Sequence, residues 1–176
     1  MQTTHLVHAT TCLVPRGTFG VLDVFGPTVE FLTLPGEADA GYCVMIGTVP
    51  PGLAVPLHSH PDPEDFFLLS GAIQALAQRG ENIEWLNVKP GGFVHVPGGA
   101  KHAWRNTSSE PAVQLITTTA NLGRFFQEIG RTATPGTLPA PPTPDDLQHF
   151  ARVAAKYQYW LGSPAENASV GINLPF

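Results

Sequence analysis

Three histidines and one glutamate are the residues of this 176-residue chain whose types and spacing can do chemistry. His58 and His60 stand two apart, Glu64 follows four later, and His102 lies well downstream. In a strand, residues i and i+2 share a face, so the imidazoles of His58 and His60 point the same way. Pro61-Asp62-Pro63 interrupts the ladder, and the chain resumes at Glu64 with Phe66 and Leu68 at the same parity. A turn or bulge there brings a carboxylate beside two imidazoles. The second cluster is Gly91, Pro97, Gly99, His102 and Asn106. Gly98-Gly99 takes turn conformations closed to other residues. Pro97 stiffens the entry, and His102 opens a strand in which Trp104 and Asn106 share its face. Three imidazoles and one carboxylate leave open positions on one divalent ion: Fe, Mn, Ni, Co, Cu or Zn. Such a site supports oxygen-dependent chemistry when the ion is redox-active.

The elements that must position these residues are short strands. From Val29 to Thr119 the texture is strand, turn, strand. The runs Tyr42–Val49, Phe66–Leu69, Ile73–Gln78, Phe93–Val96 and Val113–Thr118 are separated by Pro, Gly or Asn/Ser clusters. With 18 Gly and 18 Pro and no helical period between the runs, the reading is an all-β sandwich or barrel. Residues 1–27 read as lead-in strands, 28–120 as the barrel, and 121–176 as C-terminal helices and a tail packed on the barrel or on a partner subunit. Asn121–Arg131 places Leu122, Phe125, Phe126 and Ile129 at helical spacing, with Asn121 as the expected N-cap. After a Pro-rich linker, Thr143 caps a second helix with Pro144 at its first position and Asp145 and Asp146 in its first turn. That helix is expected to run to about Tyr157.

Composition narrows the partners. Hydrophobic residues make up 43% and charged residues 13%, a globular balance, and the formal net charge is −5. No run of Lys or Arg exists, which argues against nucleic acid and anionic membranes. No basic segment followed by an apolar stretch opens the chain, and no apolar run reaches spanning length. Cys12 and Cys43 are too few for a disulfide framework and read as free thiols, so a cytoplasmic location is expected.

The segment from Gly52 through His58, His60 and Glu64 to Gly71 resembles the first motif of the cupin superfamily. Gly91 through Pro97, Gly99 and His102 to Asn106 resembles the second, and ten positions match without a departure. This resemblance implies a double-sheet jelly-roll barrel with the metal, held by His58, His60, Glu64 and His102, inside its mouth. A narrower likeness, to single-barrel relatives of quercetin 2,3-dioxygenase, rests on the texture of the C-terminal helical appendix. It implies a dioxygenase in which Glu64 takes a substrate proton, the metal chelates a flavonol-like, phenolic or enolisable substrate, and dioxygen attacks. The other readings are a metal-dependent isomerase or epimerase of a small polar molecule, and a small-molecule-binding module without turnover.

Each residue also has a plainer reading. A lone strand histidine is more often a hydrogen-bonded structural residue than a ligand; four candidates together reverse that. Phe66, Phe93 and Trp104 are candidates for an aromatic substrate cage, and ordinary packing explains them equally well. Ala54 and Pro56 are expected on the interior face with them. Asp65 reads as a solvated carboxylate, His95 as a partly buried structural residue, and His5, His8 and His149 as surface. Asn106 is expected to fix backbone. A homodimer that buries edge strands is expected, with a small-molecule substrate and dioxygen as the other partners.

Overall fold

The computed structural model describes residues 11–36, 41–79, 82–133 and 140–173. Its strands form two antiparallel sheets. The larger contains, in spatial order, β11 (Arg131–Thr132), β1 (Val21–Asp23), β2 (Thr28–Phe31), β3 (Tyr42–Val49), β10 (Ala112–Thr119), β5 (Glu64–Ser70) and β8 (Phe93–Val96). The smaller runs β12 (Trp160–Leu161), β4 (Ala54–Ser59), β9 (His102–Arg105), β6 (Ile73–Arg79) and β7 (Asn82–Val88). This is the expected all-β, jelly-roll arrangement with short C-terminal helices. Strand β10 shows why the sheets face each other. It alternates buried and half-buried along its whole length, and it pairs with β3 from Ala112↔Val49 to Thr119↔Tyr42.

The core between the sheets is apolar and aromatic: Met45, Phe66, Leu68, Ile73, Ala75, Val96, Trp104 and Ile116 are all buried there. A second cluster lies on the outer face of the smaller sheet, where Leu57, Leu76 and Ala103 are covered by Ile172 of the C-terminal tail. A third joins helix α1 (Ala120–Ile129) to helix α2 (Pro144–Lys156) through Leu122, Phe125, Ile129, Val153 and Ala154.

Helix starts follow capping chemistry, with one correction. The cap of α1 is Thr119, whose side chain accepts from the Leu122 N–H, not Asn121. The amide of Asn121 instead donates to Asp62 Oδ2 at 3.0 Å, and Thr119 Oγ1 donates to Asp62 Oδ1. The aspartate of the Pro-flanked turn therefore holds the head of α1. Helix α2 begins as expected, with a capping box of Thr143 and Asp146 and Pro144 at the first position. The tail contains a short helix, α3 (Pro164–Ser169), with its own capping box of Ser163 and Glu166. Among the described residues, no helix is long and apolar enough to cross a membrane. His5, His8 and Phe176 lie outside the described residues.

Candidate metal centre

Four strand ends and one irregularity build the site. In β4, Val55 pairs with Trp104 and His58 with His102, so the register slips by one residue at Pro56–Leu57. That slip inverts the parity of the strand. Val55 packs into the core and Leu57 onto the outer face, while Ala54, expected inside, packs on the outer cluster instead. Past the bulge His58 and His60 share the inner face. The chain then turns through Pro61-Asp62-Pro63 and crosses to the larger sheet, where Glu64 opens β5. The second turn must pass very close to the first. A Cβ on Gly98 would stand 2.1 Å from the Pro61 carbonyl oxygen, so only glycine fits. Gly99 takes a φ of +81° and donates its N–H to the His60 carbonyl at 2.7 Å. Asn106, fully buried, closes the opposite end of β9. Its Nδ2 donates to the carbonyls of Val49 and Glu110, and its Oδ1 accepts from Ser108, the backbone role expected of it.

The result is one cluster. A ligand atom from each of His58, His60, Glu64 and His102 lies within 4.8 Å of all the others. Nε2 of His60 is 3.1 Å from Glu64 Oε2, and Nε2 of His102 is 3.3 Å from the same oxygen. The imidazoles are oriented by backbone. His58 Nδ1 donates to the Pro56 carbonyl at 2.7 Å, and His102 Nδ1 donates to the Ala100 carbonyl at 2.9 Å. Both rings therefore carry their proton on Nδ1 and turn the Nε2 lone pair toward the carboxylate, the arrangement by which outer hydrogen bonds fix a ligating tautomer.

The donor set fits a metal. His102 Nε2 is buried and has no hydrogen-bond partner in the protein. At bond lengths of about 2.0–2.2 Å a single ion spans about 4 Å, so small side-chain shifts close the shell. The electrostatics agree. Burial, reinforced by His102 and His60, pushes the His58 imidazole well below its ordinary pKa, leaving it in the neutral form that binds metal. Burial by itself disfavours an ionised Glu64, but the proximity of His102 and the hydrogen bond from His60 outweigh it and hold the carboxyl down at about 2.

Other expected residues are placed as follows. Phe66 and Trp104 lie two positions inward from Glu64 and His102, buried, with ring centroids 4.4 Å apart. Phe93 does not join them. It is 62% exposed and pairs with Phe67, which also faces outward, because only Val94 and Val96 of β8 point into the core. Asp65 faces away from Glu64 as expected. His95, expected to be partly buried, is exposed and donates to Asp65 at 2.7 Å. His149 donates to the Glu128 carbonyl, far from the cluster.

Sequence reading missed one neighbour. The Tyr159 ring lies 4.7 Å from the His60 ring and 6.2 Å from that of His58, stacked on Phe125 at 4.0 Å. Burial, with Glu64 and Asp62 adding to it, pushes the Tyr159 phenol up, so it stays protonated. Its position follows from β12, in which Trp160 pairs with Ser59 and Leu161 with His58. No spacing rule links residue 159 to residue 58; its place beside aromatic Trp160 was the one available signal.

Comparison with known proteins agrees with this fold. Residues 45–118 match the family model described as a cupin domain. The chain is similar in fold to Bacillus subtilis oxalate decarboxylase, in a structure concerned with its Mn(II) centres. The two are 22% identical over 57% of this chain and 27% of that one, with a TM-score of 0.50. A deletion mutant of that enzyme gives 22% identity over 57% and 28%, again with a TM-score of 0.50. The cupin domain of an XRE-family transcriptional regulator from Enterobacter cloacae is 23% identical over 53% of this chain and 96% of that one, with a TM-score of 0.44. This chain spans little more than a quarter of the oxalate decarboxylase it matches. Among curated proteins, none matches the sequence. Residues 45–118 therefore match a cupin domain, and the cluster of His58, His60, Glu64 and His102 sits between the two sheets that this segment helps to form.

Proposed function

We propose that this protein is a metal-dependent dioxygenase that acts on a small phenolic or enolisable molecule. The observation that carries the reading is the convergence of three imidazoles and one carboxylate within 4.8 Å, three of the four side chains buried. A bound divalent ion supplies Lewis acidity to substrate oxygens and, when redox-active, electron transfer to dioxygen. The chain's own residues do the rest. His58 and His102, held by the Pro56 and Ala100 carbonyls, keep their Nε2 atoms aimed at one point. Glu64 is ionised at neutral pH and accepts the hydroxyl or enol proton of the substrate. Because its pKa is low, that proton must be one already acidified in the site. Phe66 and Trp104 give the floor an apolar, aromatic surface, and Tyr159 excludes water from the faces of His58 and His60. Oxalate decarboxylase, similar in fold, has Mn(II) centres, and manganese is among the ions that such nitrogen and oxygen donors take.

A sugar-phosphate isomerase is the weaker reading, because a phosphate needs cations near the metal. The cations at the two ends of β9 are engaged elsewhere. Lys101 Nζ sits over the Trp160 ring at 3.8 Å, and Arg105 sits over Trp85 at 4.0 Å with its Nε donating to Gln74.

The test is elemental analysis of untagged protein, followed by oxygen uptake with a panel of phenols and diketones. About one equivalent of Fe, Mn, Ni, Co or Cu, lost in His58→Ala and His102→Ala, together with substrate-dependent oxygen uptake, is the expected result. Metal binding with no uptake on any member of the panel refutes the dioxygenase reading and favours a non-catalytic binder. Protein that takes up no divalent ion refutes the metal centre itself.

A further inference from the structure

Strands β6 and β9 are neighbours in the smaller sheet for only a short distance. Their pairing comprises Gln74↔Arg105 and Ala75↔Trp104. Beyond that point Leu76 and Ala77 continue along β7, while Ala103 and His102 continue along β4. Where the two strands part, a cleft of about 130 Å³ opens beside the metal cluster. Ala77, Val94, Val96, Ala100, His102 and Trp104 are among its walls. Two properties of this cleft specify an occupant.

The first is size. A protein cavity of ~150 Å³ holds benzene, so this one holds about six non-hydrogen atoms. A flavonol is several times larger. The second is chemistry. The walls are mostly methyl groups and aromatic rings; the exposed His95 and Lys101 also line the cleft, and one buried donor stands out. Trp104 is 3% exposed, and its Nε1–H is buried without an acceptor in the protein. The other two indoles differ: Trp85 Nε1 donates to the Val170 carbonyl at 2.9 Å, and Trp160 packs under Lys101 at the surface. A buried N–H without a partner costs about 1–3 kcal/mol, and an oxygen acceptor inside the cleft removes that cost. His102, on the same strand and two residues away, borders the same cleft, so an acceptor held by Trp104 lies next to the metal ligands.

We propose that this cleft, and not the side covered by Tyr159, is where substrate enters and binds, and that it takes a compact, largely apolar molecule bearing oxygen acceptors. A short β-diketone, as its enol or enolate, fits; an intact flavonol does not. Trp104 is a specificity residue that orients one substrate oxygen through its N–H. The inference rests on the metal-dependent reading above and narrows its substrate class.

Acetylacetone and quercetin are the probes. Zinc-loaded protein suits the measurement, because zinc is diamagnetic and does no redox chemistry. Acetylacetone is expected to bind and to shift the Trp104 indole N–H resonance, assigned from its absence in Trp104→Phe, while the Trp85 and Trp160 resonances stay in place. Trp104→Phe is expected to weaken acetylacetone by about tenfold with unchanged zinc content, a loss that corresponds to about 1.4 kcal/mol. Ala77→Leu, which fills the cleft from a half-buried position, abolishes binding with zinc retained. Quercetin does not compete. Acetylacetone that fails to bind zinc-loaded protein, binding indifferent to both substitutions, or quercetin that competes as well as the diketone overturns the proposal. Protein that takes up no metal instead overturns the reading on which it rests, so the two failures are distinguishable.

Discussion

Asn167 lies more than a hundred residues from His58, yet the placement of that candidate ligand depends on it. It is completely buried, and its Oδ1 accepts the Leu57 N–H at 2.8 Å. Leu57 is in the bulge that turns His58 inward, one residue after the carbonyl that orients the His58 ring. Asn167 Nδ2 donates to the Gly162 carbonyl at 2.8 Å and to the Ser163 carbonyl at 3.1 Å. Asn167→Ala therefore strands the buried Leu57 N–H, at about 1–3 kcal/mol, and removes the donor to Gly162, at about 1 kcal/mol. Ser163 keeps a partner, because its carbonyl also accepts the Asn167 backbone N–H. The sum is about 3 kcal/mol. With a urea m-value of about 2 kcal/mol/M, the midpoint of metal-free protein falls by about 1.5 M. A bulge freed in this way also loosens His58, and metal affinity is expected to drop about tenfold, as when outer hydrogen bonds of a metal site are lost. Asn167→Asp keeps the acceptor for Leu57 but not the donors, and should recover most of the metal affinity while remaining destabilised. Urea unfolding without metal and calorimetric titration with zinc measure the two effects separately. An unchanged midpoint in Asn167→Ala refutes the stability argument; a lowered midpoint with wild-type zinc affinity refutes the link from the tail to the metal site.

Three further outcomes are expected. In metal-free protein His58 has a depressed pKa, so the unfolded chain binds more protons below 6.5. Stability therefore falls as pH drops from about that value, and falls again below about 4.5 as Glu64 is protonated toward its folded value of about 2; melting temperatures across this range show two descents in wild type and only the upper one in Glu64→Gln. Removing metal with a chelator lowers the melting temperature by several degrees, because ligand at about a hundred times its dissociation constant contributes about 2.7 kcal/mol, and His102→Ala loses this metal dependence while still unfolding cooperatively. Asp23 is buried and accepts from Arg131 Nε at 3.0 Å and from the Gly26 N–H at 2.7 Å, so Asp23→Ala, which leaves a partly buried guanidinium and a turn N–H without their partner, is expected to cost about 2–3 kcal/mol by denaturant unfolding.

The four candidate ligands were legible in the sequence because metal chemistry restricts residue types and strand geometry restricts spacing. The His58-x-His60 alternation needs only the period of a strand, and the glycines at 98 and 99 announce a turn that no other residue can make. The strands Tyr42–Val49 and Phe93–Val96 coincide with the expected runs, since turn residues bracket them on both sides. Helix α2 was equally plain, its Thr143-Pro144-Asp-Asp start being a local chemical signal. Other features needed the third dimension. Alternation could not reveal the slip at Pro56–Leu57, because a bulge leaves no mark in hydrophobic pattern, and so Ala54 and Val55 exchange faces relative to expectation. Phe93 faces solvent because parity in β8 is counted from its partner β5, a pairing that sequence order does not give.

The sequence by itself determined the donor set, the two turns that present it and the all-β class, since each follows from local stereochemistry within a few residues. Only the tertiary structure decided what surrounds the donors. Tyr159 stacks on Phe125 and covers His58 and His60 because a two-residue strand pairs with the edge of β4. Asn167 pins the bulge beneath His58 from the far end of the chain. Trp104 borders a cleft because β6 and β9 diverge after a single pair of contacts beyond Arg105. All of these join residues through strand pairing and side-chain packing at long range, and no local preference encodes which distant partner a strand edge or a buried amide will find.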